Sequence, residues 1–337
     1  MFVLSRGEHV ADLRTGRTVF RKTLSSVLQI FRLVPEDGAS FPSYKAGQFI
    51  ALRRENCRLT KRFTSPDGSV AYAPELDSNG NQRRGPVTHS YSISSPPYET
   101  ALNGYLEFYV ILELRESGEQ GRLTESLFQL DPSGDNRISY FNKITGDFTL
   151  DSRATGFKNV IFVGTGTGLA PFAGMVRQLH YEATHGGRND VRYTLIHANR
   201  GYKELGYNET FLEIEAAKKF DFIYVPSVSR PSAEDYKNHR LGKGRANNLL
   251  RQILGMPLKE EQDLELLSAQ GQDLTQARLK LQRTVQPVLP EHISRDDLLL
   301  RMEPSETVIL CCGNPRSMDD IQYIATACKI PFEKEEW

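Results

Sequence analysis

The chain has 337 residues, 39% of them hydrophobic and 25% charged, with 42 Lys and Arg against 42 Asp and Glu. That length allows two domains, zero net charge argues against a broadly basic nucleic-acid binder, and without a run of about 20 apolar residues no membrane span is expected. Residues 1–8 lack the apolar core of a signal peptide, and Cys57, Cys311, Cys312 and Cys328 lack zinc or iron–sulfur spacing, so no disulfide, no metal and a reducing cytoplasm are expected.

From about Thr18 to Asp151 the sequence falls into short strand-like runs at 27–33, 48–52, 89–93, 105–111 and 137–141. Turn formers at 35–38, 78–81 and 131–134 separate them, and that punctuation predicts an antiparallel barrel or sandwich. Gly47-Gln48-Phe49 is a glycine turn entering a strand. In the run at 89–93, Tyr91 stands between Ser90 and Ser92: the ring can lie on a planar ligand while a hydroxyl bonds its edge, or the residue can be a cross-strand tyrosine. Leu123, Leu127 and Leu130 give a helical stripe at 123–130. Thr124 is placed as its N-cap, and the helix start offers N–H groups to a phosphate or is an ordinary capped helix. Residues 53–88 form an insertion carrying Arg53, Arg54, Arg58, Lys61, Arg62, Arg83 and Arg84. It reads either as a solvated hairpin or as a basic surface that steers an acidic protein.

After Asp151, strands and helices alternate, which implies a parallel sheet covered by helices. The apolar run 160–163 leads into Gly164, Gly166 and Gly168, and then Pro171 opens a helix whose Phe172, Met175, Val176 and Leu179 share one face. Strand, glycine turn and helix together form a phosphate cradle built from Gly164, Thr165, Gly166, Thr167 and Gly168, or a tight turn that needs glycine dihedrals. Strands are expected at 191–197, 222–228 and 307–312, and helices at 209–219 and 247–254. Arg200, Arg230 and Cys312 follow strands and so can share one rim, where ligands of such sheets bind. A single polar helix is expected within 258–285, with Leu274, Ala277, Leu281 and Val285 as its apolar stripe, in a longer insertion at 255–303.

The order G-Q-F, x-x-Y-S-I-S-S, G-x-x-T-x-x-L, G-T-G-T-G-L-A-P-F and C-G-N-P resembles the ferredoxin–NADP(+) reductase family over roughly residues 20–337. The resemblance implies a Greek-key antiparallel β-barrel that holds FAD (1–153), followed by a Rossmann-like α/β domain that holds NADP(H) (154–337). It implies that Tyr91 stacks on the flavin, that Ser92 bonds its N5 edge, and that Gly121, Leu123 and Thr124 hold the pyrophosphate. The family usually has Arg two residues before the stacking Tyr. This chain has His89, with one donor against the five of a guanidinium, so either His89 is partly protonated there or another cation takes over, and Arg122 is close by in sequence.

By the same resemblance, Arg200, Ser229, Arg230 and Arg245 grip the 2′-phosphate of NADP, and no acidic residue at those strand ends favours NAD. Cys312 packs beside the nicotinamide, while Cys311 points to the other face. Trp337 covers the flavin system, and Glu335 or Glu336 supplies a carboxylate for proton delivery. The implied activity is electron exchange between NADP(H) and ferredoxin or flavodoxin. A reductase that feeds an oxygenase and a non-catalytic nucleotide sensor are the alternatives, and monomer and dimer both stay open.

Overall fold

The structure, a computed structural model, describes residues 12–64, 70–114, 120–131 and 133–335. Its first half holds eight strands: Leu13–Ser25 (β1), Leu28–Pro35 (β2), Phe49–Arg58 (β3), Thr60–Thr64 (β4), Val70–Pro74 (β5), Arg84–Ser92 (β6), Leu106–Ile111 (β7) and Arg137–Thr145 (β8). Six of them form an antiparallel sheet in the order β6-β3-β8-β1-β2-β7. The chain just past β6 meets β7 through the Ser94 N–H donating to the Glu107 carbonyl at 2.9 Å, which curls the two sheet edges together. Phe31, Leu33, Ile50, Leu52, Phe108 and Tyr140 fill the interior. Leu123 and Leu127 of the helix Arg122–Phe128 are buried in the same cluster.

The longest of these strands, β1, is not among the expected runs. Its buried positions are Gly16 and Thr18, while Val19 and Phe20 lie exposed, so apolar alternation does not mark it. The insertion between β3 and β6 builds the separate two-stranded β4–β5 hairpin.

The second half holds Asn159–Thr165 (β9), Arg192–Asn199 (β10), Phe222–Val228 (β11), Gly242–Lys243 (β12), Thr307–Cys312 (β13) and Phe332–Lys334 (β14). All pairs are parallel, in the order β12-β11-β10-β9-β13-β14. The order reverses between β9 and β13, so the crevice beyond their carboxyl ends is the ligand position of such a sheet. Cys311 and Cys312 fall in separate apolar clusters on the two faces, as strand alternation requires. The region 258–285 is two helices, Lys259–Ala269 and Thr275–Arg283, and not one. Gly271, at φ +66°, breaks it.

The two halves share one core. Leu28, Ile30, Tyr109 and Phe148 of the barrel pack with Phe162, Phe172 and Met175 of the α/β half. The helix Ala170–Thr184 lies on the barrel at Gly174, where a Cβ would stand 3.3–3.6 Å from the carbonyls of Ser95, Ile93 and Ser94. Among the described residues, no helix is long and apolar enough to cross a membrane.

Candidate active site

The barrel contributes the end of β6, where Tyr91 pairs with Ile50 and Ser92 with Phe49. The Tyr91 ring is half-buried, and burial raises its hydroxyl pKa. Ser92 is 5% exposed, yet its Oγ has no hydrogen-bond partner among the described residues. Nearby, His89 is exposed; partial desolvation and then the charge of Arg122 lower its pKa, against a smaller opposing pull from Glu113. A neutral imidazole is therefore expected near pH 7, and the fixed cation here is Arg122, half-buried and without an ion pair among the described residues.

The helix that follows is capped by Gly121, not by Thr124. Thr124 stands one turn in, where its Oγ1 accepts from the Glu113 N–H at 3.2 Å and reaches the Gly121 carbonyl at 3.3 Å. A Cβ at Gly121 would lie 2.6 Å from a Glu113 carboxylate oxygen, so glycine permits this packing. Leu123 is buried, and only its backbone can face a ligand.

The α/β half contributes the ends of its strands. Beyond β9 a 3-10 turn, Gly166–Leu169, precedes the helix Ala170–Thr184. Gly166 adopts φ +58° there, and Thr165 and Thr167 are half-buried on the same turn. Gly164 is buried beneath it, with Leu169 and Phe172 against its α-carbon. Gly168 rests on the backbone of Cys312 and Gly313, where no Cβ would fit, and Gly313, at φ +138°, rests in turn on Thr165. The Asn314 N–H donates to Thr165 Oγ1 at 3.0 Å. The glycines thus do two separate things: one supplies a left-handed turn, and two let the loops of β9 and β13 meet.

Arg200 and Arg230 come together by backbone pairing, the Arg230 N–H donating to the Arg200 carbonyl at 2.8 Å. Ser229 donates to the Asn199 carbonyl from its N–H at 2.9 Å and its hydroxyl at 3.2 Å. Both guanidinium groups are exposed and unpaired among the described residues. The Asn199 amide donates to the barrel's Tyr109 hydroxyl at 3.1 Å, which ties this rim to the other half. Arg245 follows the next strand, since the Gly244 N–H donates to the Val228 carbonyl at 2.9 Å. Unlike the other two arginines it is engaged: its Nη1 bonds Glu260 at 3.1 Å. Glu260 belongs to the inserted helical hairpin, and no sequence motif marks it.

Cys312 is fully buried on the barrel-facing side of the sheet. Glu335 follows β14, its N–H donating to the Cys311 carbonyl at 3.1 Å. The residue is 5% exposed and its Oε2 has no hydrogen-bond partner among the described residues. Burial pushes this carboxyl up to about 8; the nearby Ser92 hydroxyl, whose geometry falls short of a hydrogen bond, pulls the other way, and the charge of Asp147 adds to the rise. Ser92 and Glu335 are therefore two buried, under-bonded groups brought face to face from the two halves. A cleft of about 390 Å³, lined by Phe49, Phe148, Arg153 and Glu335 among others, opens beside them. Glu336 and Trp337 lie outside the described residues.

A buried polar seam holds the halves in register. The Arg177 guanidinium, on the helix that follows the glycine turn, donates to the Ser94 carbonyl at 3.3 Å and to Glu107 at 3.1 Å, and pairs with Glu99. Arg32 and the Tyr207 hydroxyl also bond Glu107, at 2.8 and 3.0 Å. The seam closes two residues beyond Ser92, and no local pattern in the sequence indicates it.

Residues 162–268 match the family described as Oxidoreductase NAD-binding domain. The chain is 30% identical over 191 residues to a ferredoxin–NADP reductase of Azotobacter vinelandii, covering 53% of this chain and 64% of that protein. It is 32% identical over 155 residues to a flavodoxin/ferredoxin–NADP reductase of Rhodobacter capsulatus, covering 46% and 48%. The matches thus span less than two thirds of these relatives. Among solved structures, a ferredoxin NADP+ reductase from Neisseria gonorrhoeae with bound FAD and NADP aligns with TM-score 0.54 at 19% identity, covering 96% of this chain and 99% of that one. The flavohem-like FAD/NAD binding domain of a Vibrio cholerae nitric oxide dioxygenase aligns with TM-score 0.57 at 17% identity, covering 97% and 99%. The barrel and parallel sheet are those of these solved structures, and the match to the oxidoreductase NAD-binding domain runs through the glycine turn, so this chain is similar in fold to ferredoxin–NADP reductases.

Proposed function

We propose that the protein is an FAD-dependent oxidoreductase that exchanges electrons between NADP(H) and a one-electron carrier, ferredoxin or flavodoxin. The observation that carries this reading is the meeting of Ser92 and Glu335, buried groups from the two halves whose Oγ and Oε2 lack hydrogen-bond partners among the described residues. An unpaired buried hydroxyl costs roughly 1–3 kcal/mol, and a ligand that accepts its hydrogen bond removes that cost. The half-buried Tyr91 ring beside it and Arg122, which has no ion pair among the described residues, fit a flavin and its pyrophosphate. The names of the relatives support the carriers.

A bound flavin supplies the conversion between hydride and single electrons. Tyr91 orients the ring and Ser92 bonds its edge. Glu335, protonated at neutral pH because its pKa is about 8, holds a proton beside Ser92. The turn Gly166–Leu169 presents N–H groups to the dinucleotide pyrophosphate, and Arg200, Ser229 and Arg230 hold the 2′-phosphate. Cys312, buried and wedged under Gly168, forms a wall and does not act as a nucleophile.

Purified protein should be yellow, bleach on adding NADPH, and reduce ferredoxin or flavodoxin. Arg230→Ala should raise KM for NADPH by roughly 10- to 100-fold, the loss of a charge-assisted hydrogen bond, with little change for NADH. Equal effects on both nucleotides would reject the 2′-phosphate assignment. Ferricyanide reduction without ferredoxin or flavodoxin reduction would assign a dedicated acceptor instead. A protein that takes up no flavin would end the proposal.

A further inference from the structure

The three arginines of the nucleotide rim are not equivalent. Arg200 and Arg230 are unpaired among the described residues, whereas Arg245, 66% exposed in its side chain, is bonded to the 8%-exposed Glu260. Glu260 is itself held in place. Its Oε2 accepts from the Asn248 amide at 2.9 Å, and Asn248 Oδ1 accepts from the Lys259 N–H at 3.1 Å. Asn248 is fully buried on the helix Ala246–Leu254, which Arg245 caps. The start of Lys259–Ala269 is thereby fastened to the start of Ala246–Leu254. The same fastening sets a fixed carboxylate against one rim cation.

We propose that Glu260, delivered by the inserted helical hairpin, is a specificity-setting residue: it occupies Arg245 and so weakens the rim's preference for a nucleotide bearing a 2′-phosphate. This rests on the assignment of the rim to the 2′-phosphate made above. A 2′-phosphate entering the rim meets two free guanidinium groups and a third that must leave or share a carboxylate. A nucleotide with a bare 2′-hydroxyl does not compete for Arg245 in this way.

The test is equilibrium binding of adenosine 2′,5′-bisphosphate and of 5′-AMP to the full chain, which needs neither flavin nor turnover. Glu260→Gln keeps an acceptor for Asn248 and removes the charge. It should tighten the bisphosphate roughly three- to tenfold and leave 5′-AMP unchanged. In an Arg245→Ala background the same substitution should lose most of that gain, because the effect runs through Arg245. An unchanged ratio of the two affinities, an equal change in both, or a gain that persists fully without Arg245 overturns the proposal. Weaker 5′-AMP binding by Glu260→Gln would show that Glu260 holds the ribose, and also overturns it. Should Glu260→Gln not fold, Arg245→Ala must weaken the bisphosphate less than Arg230→Ala does, and an equal or larger loss rejects the idea. If the unaltered protein fails to distinguish the two probes, the rim does not bind a 2′-phosphate, and that assignment falls together with this one.

Discussion

Glu335 is the residue on which the proposed chemistry of the site turns. Its carboxyl is buried in the folded chain with a pKa near 8, against about 4.3 for an exposed glutamate. Between those values the folded protein binds a proton that the unfolded chain releases. Folding stability contributed by this group is therefore fully present below about pH 4.3 and falls as pH rises toward 8. Glu335→Gln removes that dependence. Denaturation midpoints of both proteins at pH 5 and pH 8 should show the substituted protein gaining on the original at the higher pH. A constant difference would mean the carboxyl titrates normally. The sequence shows a glutamate pair but not its environment, because Ser92 and Asp147, which act on this carboxyl, belong to the barrel half and are far from it in the chain. Tyr91 and Ser92 are legible in the sequence for the opposite reason: their chemistry sits in one local pattern. Thr124 shows the limit of such patterns, since a threonine before a leucine stripe looks like a cap even where a glycine three residues earlier takes that place.

Elements with strict periodicity were readable nearly to the residue. The strand at 222–228 is found where expected, as is the one at 307–312, because each is an apolar run buried on both faces of a parallel sheet. β1, β12 and β14 were not, since short or inverted patterns become strands only through their neighbours. The glycine turn lies between these cases. Its spacing shows that glycine is needed but not that Gly168 is needed for contact with Cys312 while Gly166 is needed for its left-handed φ. Gly168→Ala should force the loops of β9 and β13 apart, because the atoms in the way are backbone. We expect a loss of about 1–3 kcal/mol in urea denaturation, the usual range for overpacking, together with weaker NADPH binding. Flavin retention should be unaffected, since the barrel strands are untouched. Full NADPH affinity in a folded Gly168→Ala protein would show that the loop contact is unimportant to the nucleotide site.

At the scale of the whole molecule, the question is where a protein carrier approaches. The basic insertion is less basic in the folded chain than in the sequence. Arg53 pairs with Glu55, Arg54 with Asp135, Arg58 with Glu125 and Arg83 with Glu75, while Arg84 bonds the Asn56 carbonyl at 3.0 Å. Lys61 and Arg62 on β4 remain exposed and unpaired among the described residues, beside the exposed Phe63. The hairpin joins β6 at Arg84, whereas Ser92 ends that strand, ~26 Å away at about 3.3 Å per residue. Under the proposed function, a carrier bound only at the hairpin would be too far from Ser92 for direct electron exchange, so we propose that these charges steer its approach and leave the transfer step to the strand's other end. Reversing both charges, Lys61→Glu with Arg62→Glu, should therefore lower kcat/KM for an acidic ferredoxin at low ionic strength by about tenfold or more, while kcat at saturating carrier stays unchanged. The deficit should fade near 0.1 M salt and above, where the Debye length is about 10 Å or less. Reduction of a small uncharged quinone should not change under any of these conditions. A loss that persists at high salt, or that appears equally with the quinone, would remove the hairpin from the carrier's path.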